Sequence, residues 1–116
     1  LTVSRIHEIH RDSICSAAIR VAAEILRVTA LPSVEVLVEV DLLDRSCGHI
    51  EPKAVLYLRV AAQALESINL KMADAAPLVE RLGGHFNWSR KDGFKPLDLA
   101  VFNLPDELLD DAVTPV

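Results

Sequence analysis

The sequence predicts an α+β domain. A long N-terminal helix precedes a small antiparallel sheet, made of a strand at about 34–43 and a C-terminal hairpin at about 85–102, packed against two or three helices. Three observations carry this. Residues 34–43, "VEVLVEVDLL", alternate apolar and acidic side chains, the period-2 mark of a strand with one greasy and one wet face. Residues 4–28 repeat their apolar positions at helical spacing. Residues 83–94, "GGHFNWSRKDGF", concentrate three of the five aromatic residues and three of the four glycines around a charged turn.

In the first segment Ile14, Ala18, Val21, Ile25 and Val28 form a stripe flanked by Cys15, Ile19, Ala22 and Leu26, while Arg20 and Glu24 lie opposite. Such an apolar face is wider than 100°. Leu31-Pro32 stops it, because a residue before proline is pushed out of the helical region. The strand at 34–43 follows, then the loop "DRSCGHI". Residues 52–72 admit two readings. As a helix they place Pro52 at the first position and line up Ala54, Leu58, Ala61, Leu65, Ile68 and Met72. As a strand, 53–60 would set Lys53 and Arg59 near Glu35 and Glu39, but the helix after it would start at Ala61 without a capping side chain. The helix is the favoured reading.

Asp74 is placed to cap a short helix through "APLVERL", which Gly83-Gly84 end. "HFNW" and "FKPLDLAVF" then read as the two arms of a hairpin. Asp92-Gly93 supplies residues that tolerate positive φ, Leu97, Leu99 and Val101 mark the second arm, and Pro96 belongs at an edge or bulge. The tail "LPDELLDDAVTPV" offers one short acidic helix.

The chain's 116 residues suit a single domain. Hydrophobic residues make up 51 % and the mean hydropathy is +0.28, more apolar surface than one small core readily hides. A subunit interface is the natural place for the excess, so a homo-oligomer is expected, with a dimer favoured. Pairing of an exposed sheet edge across a two-fold axis would bury it. A net charge of −5, from 12 Lys and Arg against 17 Asp and Glu, disfavours nucleic acid as a partner. Cys15 and Cys47 show no sign of pairing, the N-terminus has no signal-peptide core, and no apolar run is long enough for a membrane helix. The expectation is a soluble, cytoplasmic protein with no membrane contact and no cofactor. The chain opens on Leu1 rather than Met, which leaves open whether residues precede it.

Four constellations bear on function. In the hairpin, His85, Trp88, Arg90 and Lys91 are the candidate ligand-binding residues: a ring to stack on, and cations for a phosphate or carboxylate of a small-molecule or protein partner. The architectural reading of the same stretch puts Phe86 and Trp88 on the helices, leaves His85 and Asn87 outside, and solvates the turn; it is preferred. His7 and His10, with His49, His85 and Cys47, could form a zinc set, though "HEIH" lacks the HExxH spacing. Asp41, Asp44 and Glu51, with Lys53, loosely resemble the carboxylates of a metal-dependent nuclease, against which Pro52 and the net charge argue. Cys47 and His49 would serve a thiol enzyme. No catalytic residue is assigned. The expected function is binding, chiefly self-association, and a small metal-dependent hydrolase is the alternative.

Overall fold

A computed structural model describes residues 2–44, 46–102 and 104; the expected acidic C-terminal helix falls outside them. The α+β architecture is as expected. Helix α1 (Val3–Val28) is capped by Thr2, whose hydroxyl accepts the Arg5 N–H at 3.1 Å. Its buried line is Cys15, Ala18, Ile19 and Ala22: three flanking residues of the expected stripe and, from its middle, Ala18 alone. These small side chains let the helix settle closely on the sheet, and that rotates larger apolar residues outward. Val21 is 49 % exposed and Val28 76 %.

Strand β1 (Ser33–Asp44) runs antiparallel to β2 (His49–Ala61), and the sheet continues through β3 (His85–Ser89) to β4 (Gly93–Lys95) in the order β1-β2-β3-β4. The helix favoured for residues 52–72 is therefore corrected: 49–61 is strand, and only the short α2 (Ala62–Glu66) is helical after it. Tertiary pairing overrides the local helical pattern, because β1 offers three consecutive apolar partners on the core face: Val34 opposite Val60, Val36 opposite Leu58, Val38 opposite Leu56. Leu56 and Leu58 are fully buried and Val60 is 1 % exposed. The two objections to a strand are also answered. Pro52 lies where β3 does not reach, since β3 pairs with β2 only at Leu56 and Tyr57. Ala61 offers no capping side chain, as anticipated, but the Ala62 N–H bonds to the Pro32 carbonyl at 2.8 Å. One β2 residue is extra between the partners of Val38 and Glu39; this bulge at Val55 buries Val55 and Leu56 in succession.

Helix α3 (Ala75–Arg81) begins after Asp74 and ends as the glycine pair implies. Gly83 has φ +80°, its N–H bonds to the Glu80 carbonyl at 3.1 Å, and the Gly84 N–H bonds to the Val79 carbonyl at 2.8 Å, the Schellman arrangement. Buried residues of α1, β2, α3 and β4 make one core on the helix side of the sheet. The second hairpin arm is shorter than expected. β4 stops at Lys95, Pro96 cannot donate to a further rung, and Leu99–Val101 form a 3-10 turn capped by Asp98. The chain instead turns back to β2, where the Leu97 N–H bonds to the Ala54 carbonyl at 2.8 Å.

Candidate functional site

The β3–β4 hairpin is a clamp on the first half of α1. Its turn is Arg90-Lys91-Asp92, closed by Gly93 at φ +73° and by the Ser89 hydroxyl, which accepts the Asp92 N–H at 3.1 Å. Glycine is required at 93 twice over: the left-handed backbone favours it, and a Cβ there would stand 3.0 Å from the His7 ring. His7 Nδ1 lies 2.8 Å from the Arg90 carbonyl, and because a carbonyl only accepts, Nδ1 carries the proton. The Trp88 indole N–H donates to the His7 carbonyl at 3.1 Å. The Arg11 guanidinium lies over the Trp88 ring, 4.4 Å from its centre. Phe94 makes T-shaped contacts with the His10 and Phe86 rings, at 5.4 and 6.1 Å between ring centres. Glu8 is bonded by Arg5 at 3.0 Å and by Arg90; the Arg5 hydrogen bond, followed by the Arg90 charge, holds its carboxyl below the ordinary range.

The four hairpin candidates therefore do not converge. Trp88 spends its one donor on α1, and Arg90 reaches Glu8 of α1 with one guanidinium N–H while most of its side chain stays exposed. His85 lies on the outer face of the sheet beside Phe102, at 4.9 Å between ring centres, and Phe102 in turn stacks on Tyr57 at 5.1 Å. Lys91 sits exposed at the apex of the turn. A groove of about 500 Å³ runs past His85, Asn87, Glu80 and Asp98.

The acidic constellation is split by the pleat. Asp41 pairs with Pro52, whereas Leu42 pairs with Glu51 and Asp44 with His49, so strand alternation puts Asp41 on one face and Asp44 and Glu51 on the other. What the β1–β2 turn does gather is Asp44, Cys47 and Glu51, with potential ligand atoms within 4.8 Å of one another. These groups already have partners. Ser46 donates its hydroxyl at 2.6 Å and its N–H at 2.9 Å to Asp44, holding that carboxyl below the ordinary range, and Lys53 pairs with Glu51 at 3.2 Å. Among the described residues the histidines do not join a metal-ligand group: His7 belongs to the hairpin clamp, His49 to the β1–β2 turn and His85 to the outer face. Cys15 is buried and desolvation pushes its thiol up to about 11, so it stays protonated and unreactive at neutral pH.

The surface least complete in itself is the β1 edge. Val34, Val36, Val38, Val40 and Leu42 point at the core yet are only partly buried, while Val60, Leu58 and Leu56, opposite the first three, are sealed; Val40 and Leu42 pair with Lys53 and Glu51. Val21 and Val28 of α1 are exposed apolar residues as well, at 49 % and 76 %. On the other face, Leu43 and Ile50 oppose one another at 57 % and 69 % exposure. Sequence periodicity marked the β1 row and the α1 stripe but not Ile50, which falls in the expected loop, and it did not say which flank of the stripe the sheet covers. The available warning was its width, too great for one sheet to cover. Comparison with protein-family models, with curated proteins and with solved structures gave no match, so the reading of function rests on this geometry.

Proposed function

We propose that this chain is an interaction domain whose first partner is a second copy of itself. The observation that carries the reading is the uneven sealing of one core. Leu58 on β2 is 0 % exposed, whereas the valine row on the same face of β1 stays partly exposed along its whole length, and Val21 and Val28 of α1 are exposed as well. Apolar area left beside a finished core is stabilising only when something covers it, at roughly 25 cal/mol per Å² removed from water. Cys15 and Cys47 are both free, one buried and one exposed, which supports a reducing, cytoplasmic setting.

The test is mass in solution. Sedimentation or light scattering at micromolar concentration is expected to return a dimer that dissociates on dilution. A protein of 12.7 kDa at every concentration up to the limit of solubility removes the reading.

A further inference from the structure

We infer that the two copies join by antiparallel pairing of β1 with β1 across a two-fold axis near Val38, making one continuous sheet with the α1 helices packed side by side above it. This rests on the reading just given and names the contact that produces it. An exposed edge is normally kept short, or broken by a proline, a lysine or a bulge. β1 has 12 residues against the usual five or six, contains no proline or lysine, and carries no extra residue of its own, since the bulge lies in β2. Among the described residues no hydrogen bond outside the β1–β2 ladder involves the backbone of residues 34–43.

The strand is also self-complementary. A two-fold axis perpendicular to the sheet at Val38 sets Val34 opposite Leu42, Val36 opposite Val40 and Val38 opposite its own copy, a wholly apolar row beneath the helices. The same axis keeps both α1 helices on one face and brings their Val21 and Val28 stripes together. The dimensions suffice. A strand of this length spans about 40 Å and a 26-residue helix about 39 Å. A strip about 35 Å long and about 20 Å tall, strand edge plus helix flank, offers roughly 700 Å² per copy, close to the roughly 800 Å² of a standard stable interface.

The outer face supplies a signature of the register. There the axis at Val38 puts Glu35 opposite Asp41 of the second copy, a like-charge pair eased by Arg59, which lies 3.9 Å from Glu35. Asp41→Lys turns both such pairs into attractive ones and is expected to tighten the dimer about tenfold. Glu39→Lys, opposite Leu37 in this register, is expected to leave the dissociation constant nearly unchanged. Val38→Lys places two charges on the axis and is expected to give a folded monomer, its fold checked by circular dichroism. In a Cys47→Ser background, Val38→Cys is expected to form a disulfide-linked dimer under mild oxidation, and Val34→Cys is not.

The outcomes separate cleanly. A wild-type monomer overturns both the self-association reading and this contact, including the case in which an extended segment of another protein takes the edge. A dimer indifferent to Val38→Lys and to Asp41→Lys, and not cross-linked at position 38, overturns the β1 contact while self-association stands. A dimer tightened by Glu39→Lys, or cross-linked through position 34, overturns the axis at Val38.

Discussion

The two ends of this sheet solve the same problem differently. At β3–β4 the sheet's last strand has three residues, and what lies beyond it is α1 itself: indole on carbonyl, imidazole on carbonyl, guanidinium on carboxylate. At β1 the last strand has 12 residues, and α1 only half covers its valines. The hairpin end holds the aromatic and basic residues that most resemble a binding site, yet the Trp88 indole and the His7 imidazole are answered within the chain and Arg90 is tied to Glu8, while Lys91 stands exposed at the apex. The β1 end looks from the sequence like plain architecture, yet it leaves its valines partly uncovered and one edge of its backbone without a strand partner. Function is better sought where the fold is incomplete than where the composition is unusual, because a group already paired must break that pairing to bind anything else.

The sharpest way to break this contrast is Trp88→Ala. If the hairpin is a clamp, the change removes a half-buried ring, its hydrogen bond to His7 and the seat of Arg11. The expected loss is about 2–3 kcal/mol of folding stability by chemical denaturation, short of the 3–5 seen for fully buried aromatic residues. An unchanged stability would return Trp88 to the surface and reopen the hairpin as a ligand site.

That outcome also measures what was legible in advance. The alternation of "HFNW" correctly put Phe86 and Trp88 inward and His85 and Asn87 outward, because one buried face is a local property of a strand. The limits of α1, the strand at 34–43 and the glycine stop at 83–84 were readable for the same reason: caps, proline and period-2 patterning act within a few residues. Residues 52–61 were not, since "KAVLYLRV" satisfies both periods and only the row on β1, paired from a distance, decides between them. The place of Glu51 beside Asp44 and away from Asp41 follows from that register and was hidden with it, whereas Asp41 and Asp44 part by alternation once β1 reaches residue 44. Which flank of α1 is buried depended on how closely Cys15, Ala18 and Ala22 let the helix approach, again a tertiary matter.

A smaller effect sharpens the hairpin half of the comparison. Glu8 holds the turn through Arg90 and α1 through Arg5, and its carboxyl titrates below the ordinary value. A carboxyl depressed by folding contributes stability that is present above its unfolded pKa, about 4.3, and is lost as pH falls through the folded value. Wild type is therefore expected to be more stable than Glu8→Gln at neutral pH, with the gap closing in acid below that range. The fluorescence of Trp88, the only tryptophan in the chain, reports the hairpin directly in such a titration. A gap that stays constant through acid pH means that the ion pairs do not hold the clamp.

The smallest effect on folding is expected at the other end, and there it is the most informative. Val28 is 76 % exposed near the end of α1, with no part in the core. Val28→Ser is expected to change the unfolding free energy of the separated monomer by less than about 0.5 kcal/mol, as surface substitutions do. In the proposed dimer the same change would remove apolar area from each of two helices across the axis, so association is expected to weaken by several-fold while the monomer keeps its stability. Trp88→Ala should show the reverse: a less stable fold, and dimer affinity unaltered wherever the protein remains folded. If both variants move stability and association together, the two ends of the sheet are one cooperative surface, and the division between a finished end and an unfinished one is wrong.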